Sequence, residues 1–186
     1  MCAKTTCCLI NGKCTQYCFW FLKDYIPALL GFAIIKKQSA RSAKLVRNRL
    51  KKIAKMPHDI SYTMEFERSY LLLADDYIER GKVELAQDLA KRCLHYNRSS
   101  IKAWETLGKT LELTDGDWND VVQSYEKCWS LDNKSSCLSG YRLAALYLKL
   151  NEPTEAMNIL PHVYRLAPEH LHVKNLVSTL ATSLRP

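Results

Sequence analysis

Residues 104–111, with the sequence WETLGKTL, place apolar side chains three and four positions apart around a single glycine, Gly108. Ala74 stands 34 residues before Gly108. Two alanine pairs are each separated by twelve residues: Ala74 with Ala86, and Ala144 with Ala156. Small residues recur in this way where two helices cross too closely for a larger side chain. The sequence therefore predicts a repeated unit of two packed helices.

A period of 34 residues with the pattern Trp-x2-Leu-Gly-x2-Tyr, then a small residue and a proline, is typical of tetratricopeptide repeats. The residues predicted to pack at repeat positions are Gly31, Ala43, Ala74, Ala86, Trp104, Gly108, Ala144, Ala156 and Pro168. The predicted fold class is an all-α, right-handed solenoid of about four helix pairs with a C-terminal capping helix. Such a protein presents stacked helices to a partner and acts as a scaffold.

Helical periodicity begins near residue 24, which divides the chain. Residues 1–23 crowd five cysteines around a turn dipeptide, Asn11-Gly12, and are predicted to be an irregular tail. Residues 24–186 are predicted to form the repeat domain. Its helix pairs are expected at about 24–57, 65–98, 101–134 and 137–168, and its capping helix at about 169–184.

Local signals predict where several helices begin and end. The spacing from Gly31 to Ala74 is 43 residues, nine more than the period, which predicts an enlarged loop around residues 57–63. Gly81 is expected to end a helix as a left-handed C-cap. Asp117 is expected to cap the N-terminus of the helix that follows it.

The net charge of +8 is concentrated in one part of the 186-residue chain. Residues 1–60 carry +10 and residues 61–186 carry −2, so the composition gives no argument for nucleic-acid binding by the whole protein. The best apolar run, residues 25–35, has eleven residues, whereas a membrane span needs about 20. No secretory signal is recognised. We therefore expect a reducing, cytosolic compartment in which the eight cysteines are thiols.

Several longer segments resemble one family more closely than the generic repeat. They are residues 26–31 (IPALLG), 50–56 (LKKIAKM), 67–75 (ERSYLLLAD), 140–144 (GYRLA) and 183–186 (SLRP). They are similar to the C-terminal end of the tetratricopeptide repeat protein 21 family, which includes the large repeat subunit of intraflagellar transport complex A. The resemblance covers about residues 24–186. Residues 1–23 do not match the family, whose members carry many more repeats upstream.

The resemblance implies a non-catalytic subunit that contacts other subunits of complex A during retrograde ciliary transport and cilium assembly. It implies a location in the cytoplasm and the cilium, at the axoneme and the basal body region. Two alternatives remain open. One is a generic adaptor that binds a peptide in its concave groove, and the other is an RNA-associated protein that uses the basic helix at residues 36–55.

No catalytic, cofactor-binding or metal-binding residue is predicted, and no small-molecule substrate is expected. The five histidines are scattered and none belongs to a recognisable nucleophile motif. Cys14 and Cys18 have the spacing of half a zinc site, but the adjacent Cys7 and Cys8 cannot complete it. Incidental thiols in a tail are the favoured interpretation.

Two surfaces are candidates for partner binding. The helix at residues 36–55 carries nine basic residues and no acid, from which Lys44, Arg47 and Lys51 are selected as contacts. A solvated face is favoured there, an acidic protein partner comes second, and RNA is disfavoured because the segment has no aromatic side chain to stack on bases. The concave side is expected to present Arg68, Lys102, Lys109, Tyr141 and Arg142. Acids at Asp75 and Glu105 argue against capture of a peptide carboxylate.

Overall fold

The computed structural model describes residues 25–37 and 43–183. Within these ranges the regular structure consists of nine α-helices and a short 3-10 helix at Ile60–Tyr62, with no strand. The helices are α1 (Ile26–Lys37), α2 (Ala43–Lys55), α3 (Thr63–Glu79), α4 (Val83–Tyr96), α5 (Ile101–Leu113), α6 (Trp118–Leu131), α7 (Cys137–Lys149), α8 (Pro153–Leu166) and α9 (Leu171–Ser183). None of them is long and apolar enough to cross a membrane. The chain forms two compact units, Met1–Asp76 and Tyr77–Pro186.

The helix ends follow from local chemistry. Asp117 accepts a hydrogen bond from the backbone N–H of Asn119 at 2.9 Å, which confirms the predicted N-cap of α6. Ser100 and Ser136 accept in the same way at the starts of α5 and α7. Each such cap satisfies a backbone donor that the helix leaves unpaired, and is worth about 1 kcal/mol. Gly81 has φ of +71°, which confirms the predicted left-handed residue after α3.

In the first unit, α1 packs against α2, and the fully buried side chains include Leu29, Ile53 and Phe66. The 3-10 helix lies in the predicted enlarged loop, so that loop has regular structure of its own. Asp59 caps it by accepting from the backbone N–H of Ser61 at 2.9 Å. The 3-10 helix turns the chain directly into α3. Helix α3 therefore begins at Thr63, before its first buried apolar residue, Phe66.

In the second unit, each helix from α4 to α9 packs against the next one along the chain. Its core joins α6, α7, α8 and α9, with Tyr125, Leu143, Leu160 and Val173 almost fully buried. Helix α9 contributes only Val173 and Leu180 to the buried set, and most of its other side chains are exposed. Helix α9 therefore packs along one edge, and its exposed side chains include the apolar Leu171 and Val177 as well as polar ones.

The small residues at predicted helix crossings differ in what surrounds them. Ala74, Ala86, Ala144 and Ala156 are fully buried. A Cβ atom added at Gly108 would lie 3.0 Å from Cζ of the Tyr125 ring, so a larger residue there is excluded unless the ring moves. Ala43 is half-buried at the start of α2, Trp104 is half-buried, and Pro168 is exposed after the end of α8.

Among the described residues nothing packs closely against Gly31, so its predicted place at a helix crossing stays a prediction. A Cβ atom at this position would meet no neighbouring side chain described by the structure within 4 Å. Gly31 lines an open groove of about 460 Å³ between α1 and α3, together with Leu30, Ile34 and Leu71. No described side chain fills the space beside this glycine, whereas a helix crossing would place the facing helix there.

Gly140 is the most tightly enclosed glycine of the described residues. A Cβ atom built on it would lie 2.5 Å from a ring carbon of Trp129 and 2.6 Å from a methyl carbon of Val163. Gly140 comes four residues before Ala144, just as Trp104 comes four before Gly108. Gly140 therefore stands at the repeat position where the signature has tryptophan. The indole of Trp129 from α6 occupies the space that a Cβ atom at residue 140 would need.

Candidate partner-binding surfaces

A groove of about 670 Å³ lies between α5 and α7 in the second unit. Three residues predicted for the concave side meet in its lining: Lys109, Tyr141 and Arg142. Trp118 and Lys149 line it too and were not predicted as contacts. The signal for Lys149 was present in the sequence, because it follows Arg142 by seven residues, which is two helical turns on the same face.

Two residues that line this groove, Arg142 and Glu112, belong to a polar network with the buried Tyr125. Nη1 of Arg142 donates to the hydroxyl of Tyr125 at 2.9 Å and lies 3.5 Å from a carboxylate oxygen of Glu112. The Tyr125 hydroxyl donates to the same Glu112 carboxylate at 3.3 Å. Arg142 is therefore held by two partners inside the chain, and its charge is largely balanced by Glu112.

Burial, reinforced by the nearby Glu112 carboxylate, raises the pKa of Tyr125 to about 12, although Arg142 opposes the change. The hydroxyl is thus protonated over the whole physiological range and can act as a donor to Glu112. The ring of the same residue packs on Gly108. Tyr125 connects the repeat packing of α5 and α6 to the orientation of Arg142 in the groove.

We expect the free energy of unfolding to fall by about 1 kcal/mol between pH 10 and pH 11 because of Tyr125 alone. Its folded pKa is above the unfolded value near 10, so in this window the folded state holds more protons and loses stability as the pH rises. Urea unfolding of wild type and Tyr125→Phe at both pH values measures the difference. Tyr164→Phe, at an exposed position, is the control. Equal slopes for wild type and Tyr125→Phe would contradict the prediction.

The two remaining cations of the groove are arranged differently. Nζ of Lys149 lies 5.7 Å from the centre of the Trp118 ring, in a cation–π arrangement. Lys109 is half-buried on α5. The Tyr141 ring is 6.3 Å from that of His172, which connects the groove to α9. The lining combines the two aromatic rings of Trp118 and Tyr141 with three cations and two acids, Glu112 and Asp115, so a small excess of positive charge lies beside apolar surface.

The other predicted groove residues lie elsewhere. Arg68 lines the groove between α1 and α3 in the first unit, where most of the lining is apolar. Lys102 forms an ion pair with Glu105 at 3.0 Å, one turn along α5. That pair is solvent-exposed on the lysine side and contributes little to stability. The predicted set is thus divided between two grooves and one surface ion pair.

The predicted basic helix at residues 36–55 is not a single helix, because Lys36 and Lys37 lie in α1 and the basic residues from Lys44 onward lie in α2. The guanidinium of Arg47, a predicted partner contact, pairs with the Asp76 carboxylate through Nε at 2.5 Å and Nη2 at 3.2 Å. Their side chains are 16% and 22% exposed, so this pair is largely enclosed within the first unit. Lys44 and Lys51 are exposed on the same helix.

Three free cysteines lie in the described part of the chain: Cys93, Cys128 and Cys137. The first two are buried, and burial raises the pKa of the Cys128 thiol. A buried thiol with a raised pKa is a poor nucleophile. The described residues contain no cluster of three His, Cys, Asp or Glu side chains that could hold a metal ion. Cys14 and Cys18, considered above for zinc, lie outside the described residues.

Each described pair of consecutive helices in the second unit is packed together, and small residues stand at close contacts between helices. These features define the class of the protein, which is that of all-α helical-repeat proteins. Repeat proteins of this class typically bind other proteins. The sequence model described as "Tetratricopeptide repeat protein 21 C-terminal ARM domain" matches residues 15–181. The chain belongs to the tetratricopeptide repeat protein 21 family.

Two curated relatives illustrate this membership. Tetratricopeptide repeat protein 21B of Homo sapiens is 40% identical over 168 residues, which is 88% of this chain and 12% of that protein. Tetratricopeptide repeat protein 21A of Homo sapiens is 34% identical with the same coverage. The chain therefore spans about one eighth of the length of these relatives.

Solved structures confirm the predicted all-α tetratricopeptide-repeat fold. The crystal structure of MamA protein has a TM-score of 0.70 at 14% identity, over 85% of this chain and 81% of MamA. The first tetratricopeptide repeat domain of Spaghetti, solved with an HSP90 peptide, has a TM-score of 0.59 at 15% identity, over 68% of this chain and 95% of that chain. At these identities the likeness shows the fold alone.

The family match corrects one boundary. It begins at residue 15, nine residues before the predicted start of the resemblance, so residues 15–23 do match the family. The match ends at residue 181, before the residues 183–186 that contributed to the resemblance. The boundary at residue 24 was predicted from the cysteine content and the lack of helical periodicity before it. Neither property depends on family membership.

Proposed function

We propose that this chain is a protein-binding scaffold that contacts subunits of intraflagellar transport complex A during retrograde ciliary transport, in the cytoplasm and the cilium. Family membership supports the choice of complex. The observation that carries the proposal is the groove between α5 and α7, which gathers Lys109, Trp118, Tyr141 and Lys149 on one accessible surface.

The groove suits a partner segment that carries an acidic side chain near an apolar one. Trp118 and Tyr141 offer large apolar surfaces with few rotatable bonds, as residues that dominate interface energies usually do. Lys109 and Lys149 supply the positive charge, because Arg142 is already paired with Glu112, and Asp115 in the same lining offsets only part of it. The lysines would mainly steer association, and the rings would hold the bound segment.

The test is co-precipitation of the tagged chain with reconstituted complex A that lacks its own large repeat subunit. At near-physiological salt we expect the wild-type chain to recover complex A subunits. The double variant Lys109→Glu/Lys149→Glu is expected to bind about tenfold more weakly, since reversing rim charges slows association.

The matched control is Lys91→Glu/Lys127→Glu, which makes the same charge change at exposed positions of α4 and α6 outside the groove. It should bind like the wild type. Failure of the wild-type chain to recover any subunit would refute the scaffold proposal. Equal losses in the two double variants would show that net charge acts without the groove.

The alternative of a generic peptide adaptor has one supporting observation, which is that a domain of the same fold was solved with a bound peptide. In this case the groove between α5 and α7 would bind isolated acidic peptides, and complex A subunits would not be recovered. Fluorescence anisotropy with labelled acidic peptides distinguishes the two.

A further inference from the structure

One face of α2 carries a continuous row of polar side chains, which we name the lysine stripe: Lys44, Asn48, Lys51 and Lys55. All four are exposed. They are separated by four, three and four residues, and at 3.6 residues per turn such spacings return to one face of a helix. The stripe is about 16 Å long at 1.5 Å per residue.

The opposite face of α2 fixes the direction of the stripe. Val46, Leu50, Ile53 and Ala54 are buried, so the helix cannot rotate without exposing them. The ion pair of Arg47 with Asp76 joins the flank of α2 to α3. The lysines therefore stand on a rigid base, and a partner would not have to order the helix when it binds.

Helix α2 contains no carboxylate. A neighbouring helix can follow such a row along its length, because spacings of three and four residues keep side chains on one face of each helix. A partner helix that bears carboxylates with the same spacing would place one acid near each lysine. From this match of charge and spacing, we propose that the lysine stripe docks an acidic α-helix of a partner protein.

Two other occupants fit the surface less well. A membrane-bound amphipathic helix inserts its apolar face into the bilayer, but the apolar face of α2 is buried in the protein. Single-stranded nucleic acid is held by aromatic stacking as well as by charge, and α2 has no aromatic residue. The stripe is independent of the groove between α5 and α7, so failure of one contact leaves the other standing.

The test measures binding of the full chain to two labelled helical peptides of identical composition by fluorescence anisotropy. One carries glutamates at positions i, i+4, i+7 and i+11, and the other distributes them around the helix. We expect the chain to bind the first at least tenfold more tightly. Equal affinity for both peptides would overturn the proposal. So would tighter binding to phosphatidylserine vesicles or to a single-stranded RNA.

The variant Lys44→Glu/Lys55→Glu should lose at least tenfold in affinity for the striped peptide, while Lys91→Glu/Lys127→Glu should change it less than threefold. A second peptide with lysines at the four positions should regain binding to Lys44→Glu/Lys55→Glu only. If the reversed variant is not folded by circular dichroism, Lys44→Gln/Lys55→Gln takes its place. Loss of binding without rescue by the lysine peptide would argue against helix docking.

Discussion

Replacement of Gly140 by alanine is expected to destabilise the second unit by about 3 kcal/mol. The added Cβ would lie 2.5 Å from Trp129 and 2.6 Å from Val163, closer than nonbonded carbon atoms approach each other. Both neighbours are held in the core, Val163 being fully buried and Trp129 6% exposed. Relief would require α7 to move away from α6 and α8. Urea unfolding followed by circular dichroism measures the loss.

Gly31→Ala is the matched control. It makes the same chemical change inside a helix, but at a site where no atom of the described residues lies within 4 Å of the new methyl group. Alanine favours the helix over glycine by about 1 kcal/mol, so this variant should be unchanged or slightly more stable. If Gly140→Ala were as stable as the wild type, Trp129 would have to find another position, and the packing described for α6 and α7 would be wrong.

Arg47→Ala is expected to cost about 2 kcal/mol of stability in the first unit. It removes two charge-assisted hydrogen bonds and leaves the largely enclosed Asp76 carboxylate without this partner. The exposed Lys44→Ala on the same helix should change stability by less than about 0.5 kcal/mol. Thermal unfolding of the three proteins provides the comparison.

Arg47 also determines how the charge-reversal experiments must be designed. A glutamate at this position would face Asp76, so an interface variant containing it would confuse lost binding with lost folding. The double variant Arg47→Lys/Asp76→Glu keeps both charges but loses the bidentate geometry. It should recover only part of the stability. Full recovery would mean that charge alone, without the paired hydrogen bonds, holds α2 against α3.

Much of the fold could be predicted from the sequence because its signals are local. The bounds of α4, α5 and α6 were given by Gly81, Asp117 and the apolar positions between them. The start of α3 was placed too late, since the 3-10 helix before it rests on Asp59 and has no periodic pattern. The surroundings of Gly31 and Gly140 could not be predicted, for a different reason. Whether a glycine lines a groove or touches an aromatic ring depends on the side chains of the facing helix. The spacing of residues along the glycine's own helix does not predict those side chains.

The partner surfaces were harder to predict. The stretch of α7 that follows Gly140 carries Tyr141 and Arg142 at the expected face, and the structure brings both to the groove. The pairing of Arg47 with Asp76 joins residues 29 apart in the sequence. Helical periodicity relates residues of one helix and gives no information on pairs between helices. In the sequence, a basic residue that forms an internal ion pair therefore looks the same as one that faces solvent.

The position of Trp129 beside Gly140 means that the helix pairs of this chain are not interchangeable modules. A graft of α5 and α6 in place of α7 and α8 would bring Trp104 to the position of Gly140, where it would meet the indole of Trp129. Two tryptophans would then compete for one volume. A consensus repeat inserted at the same place would meet the same obstacle. Any redesign of this region has to choose residues 129 and 140 together, because the side chains of two neighbouring repeats share one space there.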